Sequence, residues 1–324
     1  MRRKKIWLGL FLACVLLSGG NVRAAKLEQL KDVNVTGDFD FGPTSFSIDA
    51  AQGETVTKTL QLTNRNGEPQ EYIISAEDFQ GSENPDQTVL LQGGKIGRYS
   101  AKDWVHLEMN KFTTKHGERQ FFDVTINIPK EADAGDHYVS VLASATPKVE
   151  QKESRVDAKP NVVITSRVGA LFFIKVKGKT IEEGSLQSFK ANRFWYEKPP
   201  VAFKIVSKNE GTVRLRPSGK IVIKNMFGAV VDSVEVKPFN VLRESMRGLD
   251  LNWESQKFLV GRYTANLELD RGYGGQADMR SVSFWLIPWK QLGIGLAGLV
   301  FFVLLVNFTR KRVDVRIGVK KKRR

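Results

Sequence analysis

Catalysis needs a nucleophile, a base, a metal or a phosphate cradle, and the 324-residue chain has few candidates for any of them. Three histidines occur, His106, His116 and His137. None is spaced from another, or from a cysteine, as the four close ligands of a structural zinc would be. His106 alternates with Val105 and Leu107 and is expected to face solvent. The single cysteine, Cys14, falls in an N-terminal apolar run, so no thiol nucleophile is expected in the mature chain. No serine beyond that run sits in a Gly-x-Ser-x-Gly elbow. Gly272-Tyr273-Gly274-Gly275 lacks the following helix that a phosphate loop needs. Glu182-Glu183, and Glu131 with Asp133 and Asp136, lack the alternating oxygen ligands and closing Glu of a calcium loop, and read as turns or solvated strand ends. No catalysis, metal or cofactor is expected.

Binding remains, and its candidates are aromatic. Phe194-Trp195-Tyr196, followed by Glu197-Lys198-Pro199-Pro200, sets three large rings in a row just before a strand. Side chains alternate across a strand, so at least one of the three must face outward, where a ring suits a sugar or a protein partner. The same rings could instead cap a core or bridge two domains. Trp104, Trp253 and Tyr138 are expected inside cores.

The elements that must position these residues are strands. Short alternating runs broken by turn residues fill the chain between its two apolar ends, with hardly any helical period. Ser45–Ile48, Thr55–Asn64, Glu71–Ala76, a face shared by Val105, Leu107 and Met109, another shared by Phe122, Val124, Ile126 and Ile128, then Tyr138–Ala145 and Asn161–Val176 form a first set. A polar stretch, Pro147–Pro160, interrupts it as an exposed loop or flap. Val201–Ser207, Val213–Leu215, Lys220–Asn225, Val230–Val236, Tyr263–Leu269 and Ser281–Leu286 form a second. Thr59–Ile74 and Ala202–Pro217 echo one another as strand, Asn/Gly turn, strand, the pattern of a hairpin in each set. The fold class this predicts is all-β, two tandem immunoglobulin-like β-sandwiches plus one C-terminal transmembrane helix.

The ends supply the targeting signals. Arg2, Arg3, Lys4 and Lys5 precede an apolar run from Ile6 to Leu17 and then small residues, the layout of a secretory signal with cleavage after Ala24. Leu12-Ala13-Cys14 hints at a lipid-attached cysteine, but Phe11 stands where a Leu is expected and the apolar run continues past it. Leu292–Phe308 carries no charge over about 17 residues, just enough to cross a bilayer core. Trp285 and Trp289 stand where an interfacial belt would lie, Pro288 where a helix starts, and Arg310, Lys311 and Arg312 follow at once as cytoplasmic anchors. The expected order is therefore a signal peptide over 1–24, sandwiches over 25–177 and 178–287, the membrane helix over 288–309 and a basic cytoplasmic tail over 310–324. Most of the formal charge of +15 sits in the signal and the tail, so nucleic acid is not an expected partner. An exported chain of this size without a mature cysteine is ordinary for a bacterium.

This order of parts resembles the WxL-interacting protein family of bacterial cell surfaces. The resemblance is carried by Phe41–Asn64 and Ile128–Ala145 in the first sandwich, and by Gly219–Val231 and Gly261–Leu269 in the second. It implies a first domain that associates with peptidoglycan and a second that engages other surface proteins. The first domain is also similar to the sandwiches of periplasmic pilus chaperones, which are soluble; the anchor argues against that role. Two functions are consistent with these parts. One is an anchored adhesion or scaffold protein that binds the wall or a partner, with strand addition at an exposed edge as its means. The other is an accessory membrane subunit of a machine for secretion or surface-structure assembly.

Overall fold

The structure, a computed structural model, describes residues 26–93, 95, 97, 99–146, 166–257 and 259–313. The expected signal segment with Cys14, the polar stretch Pro147–Pro160 and the tail beyond 313 lie outside the described residues. The first set of strands is β1 (Leu27–Gln29), β2 (Phe39–Gly42), β3 (Ser45–Ala50), β4 (Thr55–Asn64), β5 (Gln70–Gln80), β6 (Leu90–Leu91), β7 (Val105–Leu107), β8 (Lys111–Thr114), β9 (Glu118–Asn127), β10 (Gly135–Ala145) and β11 (Arg167–Val176). The second is β12 (Gly184–Ala191), β13 (Trp195–Tyr196), β14 (Val201–Asn209), β15 (Ser218–Asn225), β16 (Val230–Val236), β17 (Ser245–Trp253), β18 (Gly261–Asp270) and β19 (Ala277–Leu286). A single helix, α1 (Trp289–Val313), follows.

Each set closes two sheets over one core. In the first, β1-β9-β4-β2, with β7 also on β9, faces β3-β11-β10-β5-β6, with β8 also on β5. In the second, β12-β14-β17 faces β13-β19-β18-β15-β16. Period-two alternation fills both cores. Phe122, Val124 and Ile126 of β9 meet Phe172 and Ile174 of β11, while Val201, Phe203 and Ile205 of β14 meet Phe284 and Leu286 of β19. β10 departs from the alternation and is buried continuously from Gly135 to Ala143. Its inner residues fill the core, and Tyr138 on its outer face is covered by the second sandwich.

The echo between Thr59–Ile74 and Ala202–Pro217 has a different meaning from a hairpin. In each, the first strand, β4 or β14, lies in one sheet and the next strand, β5 or β15, lies in the facing sheet, so the chain turns a corner across the sandwich. A fully buried asparagine holds each corner. Asn64 Oδ1 accepts the Asn66 N–H at 2.8 Å, and its Nδ2 donates to the carbonyls of Glu68 at 2.9 Å and Thr114 at 2.8 Å. Asn209 Oδ1 likewise accepts the Gly211 N–H at 2.9 Å, and its Nδ2 donates to Val213 at 2.8 Å and Val241 at 2.9 Å. The expected strand Val213–Leu215 is absent as a strand: only the bridge between Leu215 and Val241 forms, because Thr212 and Arg214 turn their backbone groups toward the first sandwich.

Helix α1 holds an apolar stretch, Trp289–Thr309, that is long and apolar enough to cross a membrane and none of which is buried in the protein. The helix runs past the expected end at 309 to Val313, since Arg310-Lys311-Arg312 contains no breaker.

Removing an asparagine at a corner strands one backbone donor and two carbonyls. Asn64→Ala and Asn209→Ala are each expected to lower unfolding stability by about 2–4 kcal/mol, measured by denaturant titration. A loss within experimental error at either position would show that its corner holds without the amide.

Candidate functional site

Among the described residues, a partner could be met at the elbow between the sandwiches, at one open strand flank, and at the helix end of the second sandwich. The elbow is built from the outer face of β10. Alternation sends Asp136 and Tyr138 toward the second sandwich and His137 the other way, where its ring lies 4.5 Å from that of Trp104. The Asp136 carboxylate accepts the Arg214 N–H at 2.8 Å, while its own N–H donates to Thr212 at 2.9 Å. The Tyr138 hydroxyl accepts the Arg243 N–H at 3.0 Å, and Arg243 Nη1 donates to the Asp136 carbonyl at 3.1 Å. Leu242 inserts among Phe79, Tyr138 and Phe173, and the Arg243 guanidinium lies 3.4 Å over the Tyr99 ring.

A second contact flanks the first. The edge strand β17 receives the segment after β5, with Met246 N–H donating to Ser82 at 2.9 Å and Gly248 N–H to Pro85 at 2.8 Å, beside an ion pair between Lys204 and Asp86. Close approach requires glycine at two points. A Cβ at Gly81 would lie 2.4 Å from Ser245, and one at Gly135, where φ is +120°, would lie 2.5 Å from the Thr212 carbonyl. Burial pushes the Asp136 carboxyl above its ordinary range against the lowering effect of the Arg214 N–H, and burial, then Asp136, pushes the Tyr138 hydroxyl well up.

Beside this contact opens a cleft of about 190 Å³ lined by Ser47, Asp49, Phe173, Lys175, Arg214 and Arg216. The Arg214 guanidinium lies 4.4 Å over the Phe173 ring and donates to Ser47 Oγ at 3.2 Å. Asp136 lines the cleft as well, and the charges of Arg214 and Lys175 act on its carboxyl, so three cationic side chains face the carboxylates of Asp49 and Asp136 and leave the recess mildly cationic.

The open flank belongs to β11. On one side β10 pairs with Arg167–Val176; on the other, β3 pairs in parallel only with Leu171–Val176. Leu171 N–H donates to Thr44 on the β3 side, so by alternation the amides of Arg167 and Gly169 point the same way and meet no partner among the described residues. Val168 is 37% exposed, and Arg167 pairs with Glu77 at 3.2 Å.

The predicted aromatic site is split by the structure. Phe194 and Trp195 are exposed, at 68% and 57%. Tyr196 is buried, its hydroxyl accepting the Arg193 N–H at 3.0 Å and donating to Ala202 at 3.3 Å, with its ring edge-on to Phe284. Trp285 lies on β19 in register with Trp195, half-buried, and Trp289 opens the helix, exposed. Arg310, Lys311 and Arg312 occupy the last turn of α1, and their side chains lie outside the described residues. Sequence reasoning missed Met226 and Phe227, exposed at the tip of the β15–β16 hairpin. Two large apolar residues in a turn normally filled by polar ones were the signal. Among the described residues no three His, Cys, Asp or Glu side chains gather as a metal site.

No protein-family model matches the chain. No curated protein matches it either. Solved structures similar to it include a chaperone–tip adhesin complex of CFA/I fimbriae, at 14% identity and a TM-score of 0.36 over 78% of this chain and 99% of that one. The class 5 fimbriae chaperone CfaA follows at 12% and 0.36 over 78% and 100%. The Salmonella enterica SafA pilin in complex with the SafB chaperone stands at 10% and 0.37 over 77% and 96%. With identities this low and TM-scores below 0.5, the likeness carries no functional argument.

His137 lies behind the elbow, on the core side of β10. Burial, and then the Arg243 charge, hold His137 below its ordinary value of 6.5, against the raising effect of its hydrogen bond to the Asp133 carbonyl. The unfolded chain therefore takes up the proton first, and folded stability falls as pH drops below about 6.5 until the folded imidazole itself is protonated. The melting midpoint is expected to fall as pH drops below about 6.5, and His137→Gln to remove that component. Superimposable pH profiles for the two proteins would exclude His137 as the source.

Proposed function

We propose that the chain is a membrane-anchored binding protein, two immunoglobulin-like sandwiches on a single-pass helix, that holds a surface protein by strand addition along β11. It acts as an accessory subunit in assembling or presenting a surface structure, with its sandwiches outside the membrane and its C-terminus in the cytoplasm. The observation that carries this reading is the flank at Arg167–Ala170, unpaired among the described residues, where β10 supplies one neighbour and β3 stops short of supplying the other. An added strand gains main-chain hydrogen bonds there, and Val168 beside it gives an apolar contact.

The cleft supports the same reading. Lys175 lies six residues along β11 from Gly169, roughly 20 Å at strand rise and within the stretch that β3 already pairs, so the cleft with Lys175, Arg214 and Arg216 is a contact separate from the added strand, suited to a polar part of the same partner. A protein partner is favoured over a wall polymer by the surface of the first sandwich. Its exposed large hydrophobics among the described residues are Leu27, Val35, Ile73, Leu91 and Val168, all aliphatic, and rings such as Phe46 and Phe121 are half-buried, which disfavours the peptidoglycan role implied by resemblance. Membership of the WxL-interacting family stays within the proposal on its strand motifs.

Proline at 167 removes an outward amide without breaking the β10 ladder, whereas alanine removes only the ion pair with Glu77. A photo-cross-linking residue at position 168, in cells, is expected to give a discrete protein adduct that a control at Thr57 does not. Arg167→Pro should cut that adduct about tenfold and Arg167→Ala leave it, as fits the loss of one main-chain bond and its strand geometry. No adduct at 168, or equal adducts in all three proteins, would reject strand addition at β11.

A further inference from the structure

The second sandwich has two unlike ends. One meets the first sandwich through the 211–216 turn, the 241–245 segment and the start of β17. The other gathers the end of β19, the start of β18, the β15–β16 hairpin tip and the segment before β14. That end is where the apolar side chains escape burial. Met226 is 60% and Phe227 86% exposed, and Phe194, Trp195 and Val260 stand open beside them.

From this geometry we propose that the helix end of the second sandwich is a lipid-binding face, with the Met226-Phe227 tip and Phe194-Trp195 inserted into the headgroup layer of an anionic bilayer. The inference rests on α1 crossing that bilayer. It goes beyond the anchor because it assigns the membrane a second contact, made by the folded domain. It also gives the Phe194-Trp195 pair a lipid partner instead of a protein one.

Three observations support the lipid. The first is reach. Leu286 ends β19 and Trp289 starts α1, so about 10 Å of extended chain at most separates the sheet from the membrane helix, against a headgroup layer of roughly 5–8 Å. Met226 is tied to the same level, its sulfur 3.4 Å from where a Cβ on Gly261 would sit, and Gly261 pairs directly with Leu286.

The second observation is that the connection is held rather than loose. Ile287 N–H donates to Tyr196 at 2.8 Å, Trp289 N–H to Ile287 at 2.8 Å, and Lys290 pairs with Glu197 at 3.3 Å. A domain fixed this closely to its span cannot lift its end clear of the interface. The third is charge. Arg193, Lys198, Lys224 and Lys257 are exposed at this end, with Glu254 and Asp232 the carboxylates not taken by Lys290; Asp232 already accepts the Trp253 indole N–H and feels the Lys257 charge. Basic side chains around Trp, Phe and Met are the composition that binds at an anionic interface.

The test uses the full-length chain, with Cys14→Ser, in vesicles of phosphatidylcholine and phosphatidylglycerol. Single spin labels are placed by Phe227→Cys, Trp195→Cys, Val35→Cys and Phe301→Cys, and each is read for collision with oxygen and with a water-soluble nickel complex. Val35 is an exposed apolar residue of the first sandwich and Phe301 lies in the middle of α1. The oxygen-to-nickel ratio at 227 and 195 is expected to exceed that at 35 by about threefold or more, as for side chains at headgroup depth. Ratios at 227 and 195 equal to that at 35, with 301 in lipid, would overturn the lipid face and leave the anchor standing. An aqueous ratio at 301 as well would overturn the anchor and the face together.

Discussion

Asp136 sets the geometry of the molecule. A carboxylate withdrawn from water loses several kcal/mol of solvation and must recover it from donors fixed around it. Here one donor belongs to the second sandwich, the Arg214 amide, and the residue's own backbone groups are bonded to Thr212 and Arg243 of that sandwich too. Separating the domains would leave the carboxylate, the Tyr138 hydroxyl and the Arg243 guanidinium without these partners at once. The elbow is therefore satisfied at one angle, and Leu242 between Phe79, Tyr138 and Phe173 adds apolar burial at that same angle. Gly81 and Gly135 are consequences of it, since a methyl at either would strike the other domain.

Much of the fold was legible because each core strand is an alternating run. β9 and β14 read directly as Phe122, Val124, Ile126 and as Val201, Phe203, Ile205. What the sequence concealed was tertiary. Val213 and Leu215 alternate like a strand, yet Thr212 and Arg214 between them bond to Asp136, and no ladder forms. β17 was missed although Leu249, Leu251 and Trp253 alternate, because Arg247 and Gly248 break its first half where domain one closes on it. The two asparagine corners imitate hairpins, since an Asx turn is local and nothing local says that the next strand joins the facing sheet.

The candidate sites were less legible for a related reason. Alternation requires at least one of Phe194, Trp195 and Tyr196 to face outward and would set Phe194 and Tyr196 on one face, but Phe194 precedes β13 and stays exposed, and the inward place of Tyr196 follows from the Ala202 carbonyl and the Phe284 ring that receive it. The open flank of β11 is a property of where β3 stops, and the cleft joins Ser47, Lys175 and Arg214 from parts of the chain far apart in sequence. Neither leaves a local signature. Phe227 did leave one, a large ring in a turn, and it became informative once β15 and β16 placed that turn level with the start of α1.

The two ends of the second sandwich make a connected argument. A domain joined to a span by a single flexible linker sweeps a volume set by the linker, and its binding edge meets a partner at all angles. This second sandwich is fixed at one end by the Asp136 elbow and, on the proposed seat, at the other by lipid. β18, ten residues long, crosses from one end to the other, which sets the elbow roughly 30 Å above the headgroups. The open flank of β11 is then presented at a fixed height and orientation. A partner anchored in or assembled at the same membrane would meet that edge with little orientational entropy left to lose. On the proposed seat, the anchor and the edge would act as one device, joined through the buried elbow.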